Sequence, residues 1–208
     1  MLDANPTVLI VDDDAEFRDS VARLLRTVGL KTQQFSSVAD FFKAVPPDGP
    51  TCLVLDVRLP GLSGLELQRE LATANRQLPI IFITAHGDIP MTVQAMKGGA
   101  IEFLTKPFRD QDLLDAIETG VARDRARREN EKALSALRER FNTLSSRERE
   151  IMFQATAGRL NKQIAHEMDI AISTVKVHRT NLMRKMKARS LPELSRMADI
   201  LKSGPDKP

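Results

Sequence analysis

Short apolar runs alternate with amphipathic stretches through the first half of the chain, and that alternation predicts its architecture. Val8-Leu9-Ile10-Val11, Cys52-Leu53-Val54-Leu55 and Ile80-Ile81-Phe82-Ile83 are unbroken runs bounded by turn residues, the pattern of strands buried on both faces. Residues 31–35 read as a weaker outer strand and residues 100–105 as a fifth strand. Between the first two strands, Phe17, Val21, Leu24, Leu25 and Val28 recur at helical spacing until Gly29 stops the helix. Further helices are predicted over 38–45, 63–75 and 89–97 and around Leu113, Leu114, Ile117 and Val121, with Pro46-Pro47-Asp48-Gly49-Pro50 and Gly98-Gly99 as breakers. Strand and helix alternating five times imply α/β architecture: a doubly wound, five-stranded parallel sheet with helices on both faces.

The period changes after residue 122. Residues 123–140 are rich in Arg, Glu, Ala and Leu and lack Gly and Pro, which predicts a helical linker running on through Gly120. Leu134, Leu137 and Phe141 could form a narrow apolar seam, although too few heptads are present for a sustained coiled coil. From Leu144 to Leu201 the pattern is wholly helical, with elements over 146–157, 161–168, 172–186 and 191–201. The expected organisation is a domain over 1–122, a linker over 123–140 and a small all-α domain over 141–208.

Charge sharpens that division. Residues 1–120 carry 11 Lys and Arg against 17 Asp and Glu, whereas residues 144–208 carry 13 against 7. A basic domain fused to an acidic one makes an anionic polymer its first expected partner. Cys52 is the only cysteine, which excludes an intrachain disulfide and a cysteine metal cluster and fits a cytoplasmic setting. No apolar run approaches the roughly 18 residues of a membrane span, so no membrane partner is expected.

Chemistry gathers where strands end. The first predicted strand runs into Asp12 and Asp13, the third into Asp56, the fourth into Thr84 and the fifth into Lys106. In open parallel sheets, ligands bind at the carboxyl ends of strands. Clustered carboxylates without His or Cys suit Mg2+, which keeps waters and phosphate oxygens in its remaining positions. A phosphoryl group brings about −2 charge, which the metal and Lys106 can offset while the Thr84 hydroxyl donates. Asp56 can then act as the nucleophile in a transfer that needs placement and charge neutralisation above all. Each residue alone is commonplace at a strand end; the set, drawn from four strands, is not.

Val8-Leu-Ile-Val-Asp-Asp-Asp14, Val54-Leu-Asp-Val-Arg-Leu-Pro-Gly61, Ile83-Thr-Ala85 and Phe103-Leu-Thr-Lys-Pro107 resemble the receiver domain of two-component response regulators, over about residues 6–122. The resemblance implies a 2-1-3-4-5 strand order and phosphorylation of Asp56 by a cognate sensor histidine kinase. It also implies Mg2+ held directly by Asp13, Asp56 and the backbone carbonyl of Arg58, with Asp12 acting through a metal water. Lys106 would pair with the phosphoryl group, Thr84 would move toward it, and Phe103 would follow as a switch. Pro107 would follow a cis peptide. Phe103 departs from members with Tyr there and has no hydroxyl to offer.

In the basic half, Ser145 and Glu148 form a capping-box pattern. A turn at Asp169-Ile170-Ala171 separates two helices, the second bearing Thr174, Lys176, Val177, His178, Arg179 and Thr180. A recognition helix sets such residues into the major groove. Val175, Leu182 and Met186 read as core, and His178 as a hydrogen-bonding structural residue. Leu144-Ser-x-Arg-Glu-x-Glu-Ile151, Ala157-Gly158, Asn161-Lys-x-Ile-Ala165 and Thr174-Val-Lys-Val-His178 resemble the LuxR-type DNA-binding domain, and the two halves together resemble the NarL/FixJ class. That resemblance implies base contacts from Lys176, Val177 and Thr180, phosphate contacts from Lys162, Thr174 and Arg179, and a homodimer formed on phosphorylation. It implies promoter DNA and RNA polymerase as partners, with transcription activated. Ala171 stands where members usually have a capping Ser, so the helix start is expected to be looser, or capped by Ser173. Asp12-x-Asp14 after an apolar strand also resembles a haloacid-dehalogenase-type phosphatase with Asp12 as nucleophile, but a later acidic pair is missing. The chain is therefore expected to be no enzyme beyond its own phosphoryl transfer and dephosphorylation.

Overall fold

A computed structural model describes residues 5–203 of the chain; the expected outer domain limits, 1 and 208, lie outside them. The chain divides into two compact units, residues 1–128 and 129–208. In the first, β1 (Thr7–Val11), β2 (Lys31–Phe35), β3 (Thr51–Asp56), β4 (Ile80–Thr84) and β5 (Glu102–Thr105) form one parallel sheet in the order β2-β1-β3-β4-β5. The runs read as buried are buried along their whole length in β1, β3 and β4, while β2 at the edge is largely exposed.

The sheet separates two apolar layers. On one side α1 (Ala15–Thr27) sets Val21, Ala22 and Leu25 against Val8, Ile10, Cys52, Val54 and Ile81, beside Leu113, Ala116 and Ile117 of α5 (Asp110–Asn142). On the other, α2 (Val38–Lys43), α3 (Gly64–Thr73) and α4 (Ile89–Lys97) cover Leu9, Leu53, Leu55 and Phe82. Alternate residues of β3 thus serve opposite layers, as the period of a strand requires. Side chains cap two of these helices: Ser63 and Glu66 exchange hydrogen bonds at the start of α3, and Asp88 accepts from the Met91 N–H at the start of α4. Gly120, mid-helix and therefore unfavourable by about 1 kcal/mol relative to Ala, has a packing reason. A Cβ there would stand 2.6 Å from Cys52 Sγ.

α5 begins in the first unit and ends in the second. The stretch read as a linker contributes to both interiors. Asp124 is wholly buried; it accepts from the Thr51 N–H at 2.8 Å, from Arg127 Nε and Nη2 at 3.0 and 2.6 Å, and from Arg128 Nε at 2.7 Å. Arg128 donates onward to the carbonyls of Asp48 and Pro47. Leu137 and Phe141, read as part of a narrow apolar seam, are buried within their own chain. They join the core of the second unit with Leu144, Ile151, Met152, Val175, Leu182 and Met186.

That second unit comprises the end of α5, α6 (Ser146–Thr156), α7 (Asn161–Glu167), α8 (Ile172–Met186) and α9 (Leu191–Ser203). Ser145 and Glu148 form the capping box of α6, and Glu148 also takes a 2.7 Å ion pair from Lys185 of α8. Burial raises the pKa of Glu148, but the donors Lys185 and Ser145 outweigh it and hold the carboxyl below its ordinary value. The turn between α7 and α8 places Asp169 at φ 50°. Ala171 precedes α8 and makes no side-chain cap bond; no Ser173 side-chain bond replaces it among the described residues.

Candidate functional site

Three consecutive aspartates follow β1, and each does something different. Asp12 is 1% exposed; its Oδ1 accepts from the Asp14 N–H at 2.9 Å and its Oδ2 from Lys106 Nζ at 2.8 Å. Asp13 is exposed, and Asp14 caps α1 by accepting from the N–H groups of Glu16 and Phe17. From the end of β3, Asp56 joins the pair. One carboxylate oxygen each from Asp12, Asp13 and Asp56 lies within 4.8 Å of the others. Opposed oxygens around a magnesium ion stand about 4.2 Å apart, so small side-chain adjustments fit these three to a hard, octahedral cation. No His or Cys belongs to the group, which disfavours zinc.

Asp56 is held from two sides. Its Oδ1 accepts from the Arg58 N–H at 2.9 Å, and its Oδ2 lies 3.5 Å from Lys106 Nζ. The backbone is fixed as firmly, because Gly64 at the start of α3 sits against it; a Cβ there would come within 2.3 Å of the Asp56 carbonyl oxygen. Lys106 arrives from beyond β5, with its own N–H bonded to the Thr84 carbonyl at 2.8 Å and a cis peptide to Pro107. Its ammonium also lies 3.6 Å from the centroid of the Phe17 ring.

Burial raises the pKa of Asp56. The neighbouring Asp12 charge adds to the rise, while the Arg58 N–H and Lys106 only partly oppose it. A carboxyl whose pKa is raised by folding loses stability for the fold as it ionises. The loss appears as pH climbs from the unfolded value near 3.9 through the higher folded value. Asp56→Asn therefore raises the melting temperature of the metal-free first unit at pH 7, by about 2–4 °C for each kcal/mol relieved. The gain shrinks as pH falls toward 4, and magnesium chloride narrows it by favouring the wild type. Thermal melts followed by circular dichroism at pH 7 and pH 4 check this; a less stable variant at pH 7 contradicts it.

Thr84 closes β4 one residue past Ile83, the register partner of Asp56, while Phe103 of β5 pairs with Phe82. The Thr84 side chain is buried, and its hydroxyl pairs with the backbone N–H and carbonyl of His86 at 3.3 and 3.4 Å. Phe103 is half-buried, its ring 6.2 Å from that of Phe82. Gly87 packs under both residues: a Cβ there would meet Phe103 Cε1 at 2.9 Å and Thr84 Cγ2 at 3.4 Å. Sequence reasoning missed Gly64 and Gly87 as parts of the site, because a glycine shows its neighbours only in three dimensions.

In the second unit, Lys162, Lys176, Val177 and Thr180 are exposed, and Thr174 and Arg179 are half-buried. Val177 keeps 59% of its surface in solvent, on the face of α8 opposite the fully buried Val175. Arg179 Nη1 donates to Asn161 Oδ1 at 2.5 Å, tying the first residue of α7 to α8, and the Thr180 hydroxyl donates to the Lys176 carbonyl at 3.1 Å. His178 is half-buried and makes no hydrogen bond among the described residues, contrary to the structural role expected for it.

Residues 8–118 match the family described as the response regulator receiver domain, and residues 142–198 match the luxR family of bacterial regulatory proteins. Nodulation protein W of Bradyrhizobium diazoefficiens is 53% identical over 194 residues, covering 93% of this chain and 86% of that protein. The transcriptional regulatory protein FixJ of Rhizobium meliloti is 43% identical over 192 residues, covering 92% of this chain and 94% of that protein. Among solved structures, the response regulator StyR superposes with a TM-score of 0.86 at 47% identity, over 94% of this chain and 99% of that one. Among the described residues, no helix is long and apolar enough to cross a membrane.

Proposed function

The chain belongs to the two-component response regulators of the NarL/FixJ type, with a receiver domain and a LuxR-type DNA-binding domain, and from that premise we propose that phosphorylation of Asp56 by a sensor histidine kinase controls its grip on promoter DNA. The observation that carries this reading is the single ammonium of Lys106 between two carboxylates, 2.8 Å from Asp12 and 3.5 Å from Asp56. A cation so placed neutralises charge arriving at Asp56 without reaching across solvent.

In the proposed transfer, an Asp56 carboxylate oxygen attacks phosphorus as the phosphorus–nitrogen bond of the donor phosphohistidine breaks, and the departing imidazole nitrogen takes up a proton. Asp13, Asp56 and the Arg58 carbonyl would hold magnesium, with Asp12 acting through a water, and the ion would offset charge on the phosphoryl oxygens. Lys106 exchanges Asp12 for a phosphoryl oxygen. The Thr84 hydroxyl leaves the His86 backbone and donates to another, and the Phe103 ring follows into the space released. The surface that this alters includes α4, where Ile89, Val93 and Met96 are 81%, 44% and 42% exposed at helical spacing. A face of that kind supports a phosphorylation-dependent homodimer, which brings two recognition helices to adjacent half-sites. On DNA, Lys176, Val177 and Thr180 meet base edges while Lys162, Thr174 and Arg179 meet phosphates, and the bound dimer activates transcription through RNA polymerase.

The chain turns over no separate substrate under this reading. Asp12 is committed to Lys106 and the Asp14 N–H, which disfavours it as the nucleophile of a phosphatase. The full-length chain should be labelled by a small acyl phosphate with magnesium, whereas Asp56→Asn should not, and the donor should tighten binding to promoter fragments in the wild type alone. Equal labelling of both proteins would overturn the assignment, and phosphomonoester hydrolysis that survives Asp56→Asn would favour the phosphatase.

A further inference from the structure

Lys106 has a third neighbour that the phosphoryl chemistry above leaves without a role. The Phe17 ring centroid lies 3.6 Å from Nζ, well inside the roughly 6 Å over which a ring face attracts an ammonium. The contact is built rather than incidental. Asp14 accepts from the Phe17 N–H at 3.1 Å in the cap of α1, so the backbone bearing the ring is tied to the same aspartate run that supplies the site. The edge of Phe108, two residues beyond Lys106, packs against that ring at 6.2 Å and 84°. The Lys106 side chain is 21% exposed, so water weakens the attraction only in part.

We propose that Phe17 is a positioning residue for Lys106, a plate on which the ammonium is held while it passes from Asp12 to the phosphoryl group on Asp56; the proposal rests on Asp56 being the phosphoacceptor. Asp12 is the stronger attraction before phosphorylation, at 2.8 Å against 3.5 Å for Asp56. If Asp12 alone anchored the ammonium, leaving it would expose the cation to solvent and to the many rotamers of a lysine. A ring face attracts a cation without a directed hydrogen bond, so Nζ can shift across it toward Asp56 without losing that contact. A carboxylate or amide in the same place would pin the ammonium with a directional bond. An aliphatic side chain would leave that flank unattractive to charge. The ring also keeps water from the side of the cation that faces α1, which strengthens its pull on the incoming phosphoryl oxygens.

The full-length chain is labelled with acetyl phosphate and magnesium over a range of donor concentrations, comparing wild type with Phe17→Leu, Phe17→Met and Phe17→Tyr. Circular dichroism confirms the fold of each. Loss of the ring in the Leu and Met variants should lower the rate at saturating donor about 5- to 10-fold and leave the half-saturating concentration within twofold. Phe17→Tyr should retain the wild-type rate. In parallel, the ε-methylene protons of Lys106 should show an upfield ring-current shift by nuclear magnetic resonance in the wild type and Phe17→Tyr, absent from Phe17→Leu. Labelling of either aliphatic variant within twofold of wild type would overturn the proposal, as would an equal loss in Phe17→Tyr or a Lys106 shift indifferent to residue 17. Those results leave the role of Asp56 standing, since wild type would still be labelled and Asp56→Asn would not. A wild type that takes up no phosphoryl group would remove both readings together.

Discussion

Alanine in place of Asp124 destabilises the receiver unit by about 3 kcal/mol, a loss at the low end of that expected when one partner of a buried ion pair is removed. The size follows from what the substitution strands. The Thr51 N–H opens β3, and the Asp124 carboxylate is its acceptor at 2.8 Å. Deleting a buried acceptor exacts the full desolvation penalty of the donor left behind. Arg127 and Arg128 lose the carboxylate too, but their side chains are 26% and 29% exposed and recover part of their solvation, which keeps the loss from the top of the range. Arg128 retains the carbonyls of Asp48 and Pro47. Urea denaturation of the full-length chain, followed through the receiver transition, should show a midpoint lower by about 1.5 M for a slope near 2 kcal/mol/M. Asp124→Asn, which keeps one oxygen for the Thr51 N–H, should lose distinctly less. A midpoint within about 0.2 M of wild type would mean that the buried Asp124 carboxylate contributes nothing to the stability of this unit.

That prediction lies where sequence reasoning was blind, and the reason is physical. Strands such as β4 declare themselves because an unbroken run of four apolar residues, Ile80 to Ile83, suits a strand covered on both faces. Asp124 gives no such sign. It sits in an arginine-rich helix whose local charge pattern is that of a solvated spacer, and the backbone group it serves is 73 residues away. Leu137 and Phe141 were equally ambiguous, since a seam between helices and a contribution to a neighbouring core share the same spacing. Only the cluster they join decides between them.

The carboxylate site was legible to the extent that its residues are chemically conspicuous. Asp12, Asp13, Asp56 and Lys106 announced themselves at strand ends, and the structure brings them together. The division of labour within the aspartate run was not legible, because burying Asp12, exposing Asp13 and using Asp14 as a cap depend on the direction in which the chain leaves β1. Phe17 was visible only as one apolar position of an amphipathic helix. Its cation stands 89 residues later in the chain, as the positions 17 and 106 imply, and an apolar ring carries no mark of the charge it will meet. Gly64 belongs with these: its local role at the start of α3 could be guessed, but its contact with the Asp56 carbonyl could not.

Two lysines of the basic unit should separate by the dependence of their effects on salt and on sequence. Lys162 lies at the second position of α7, Lys176 one residue after the buried Val175 on α8, and both are exposed. Under the proposed docking, Lys162 meets a phosphate and Lys176 a base edge. Each phosphate contact releases condensed counterions, so Lys162→Ala should weaken binding to operator and unrelated DNA alike and flatten the plot of log affinity against log salt by about 0.9 per lysine in each site. Lys176→Ala should cost about 1–3 kcal/mol, roughly 5- to 150-fold, on the operator. Its effect on unrelated DNA should be much smaller, and its salt slope should change little. Val177 offers an internal control, because it carries no charge: any loss on Val177→Ala must come from apolar contact, such as that with a thymine methyl group, and should leave the slope unchanged. Titrations of the phosphorylated chain by fluorescence anisotropy at several salt concentrations measure all three. If Lys176→Ala instead weakened both DNAs equally and flattened the slope as Lys162→Ala does, α8 would be holding the backbone, and the reading of sequence would have to come from another element.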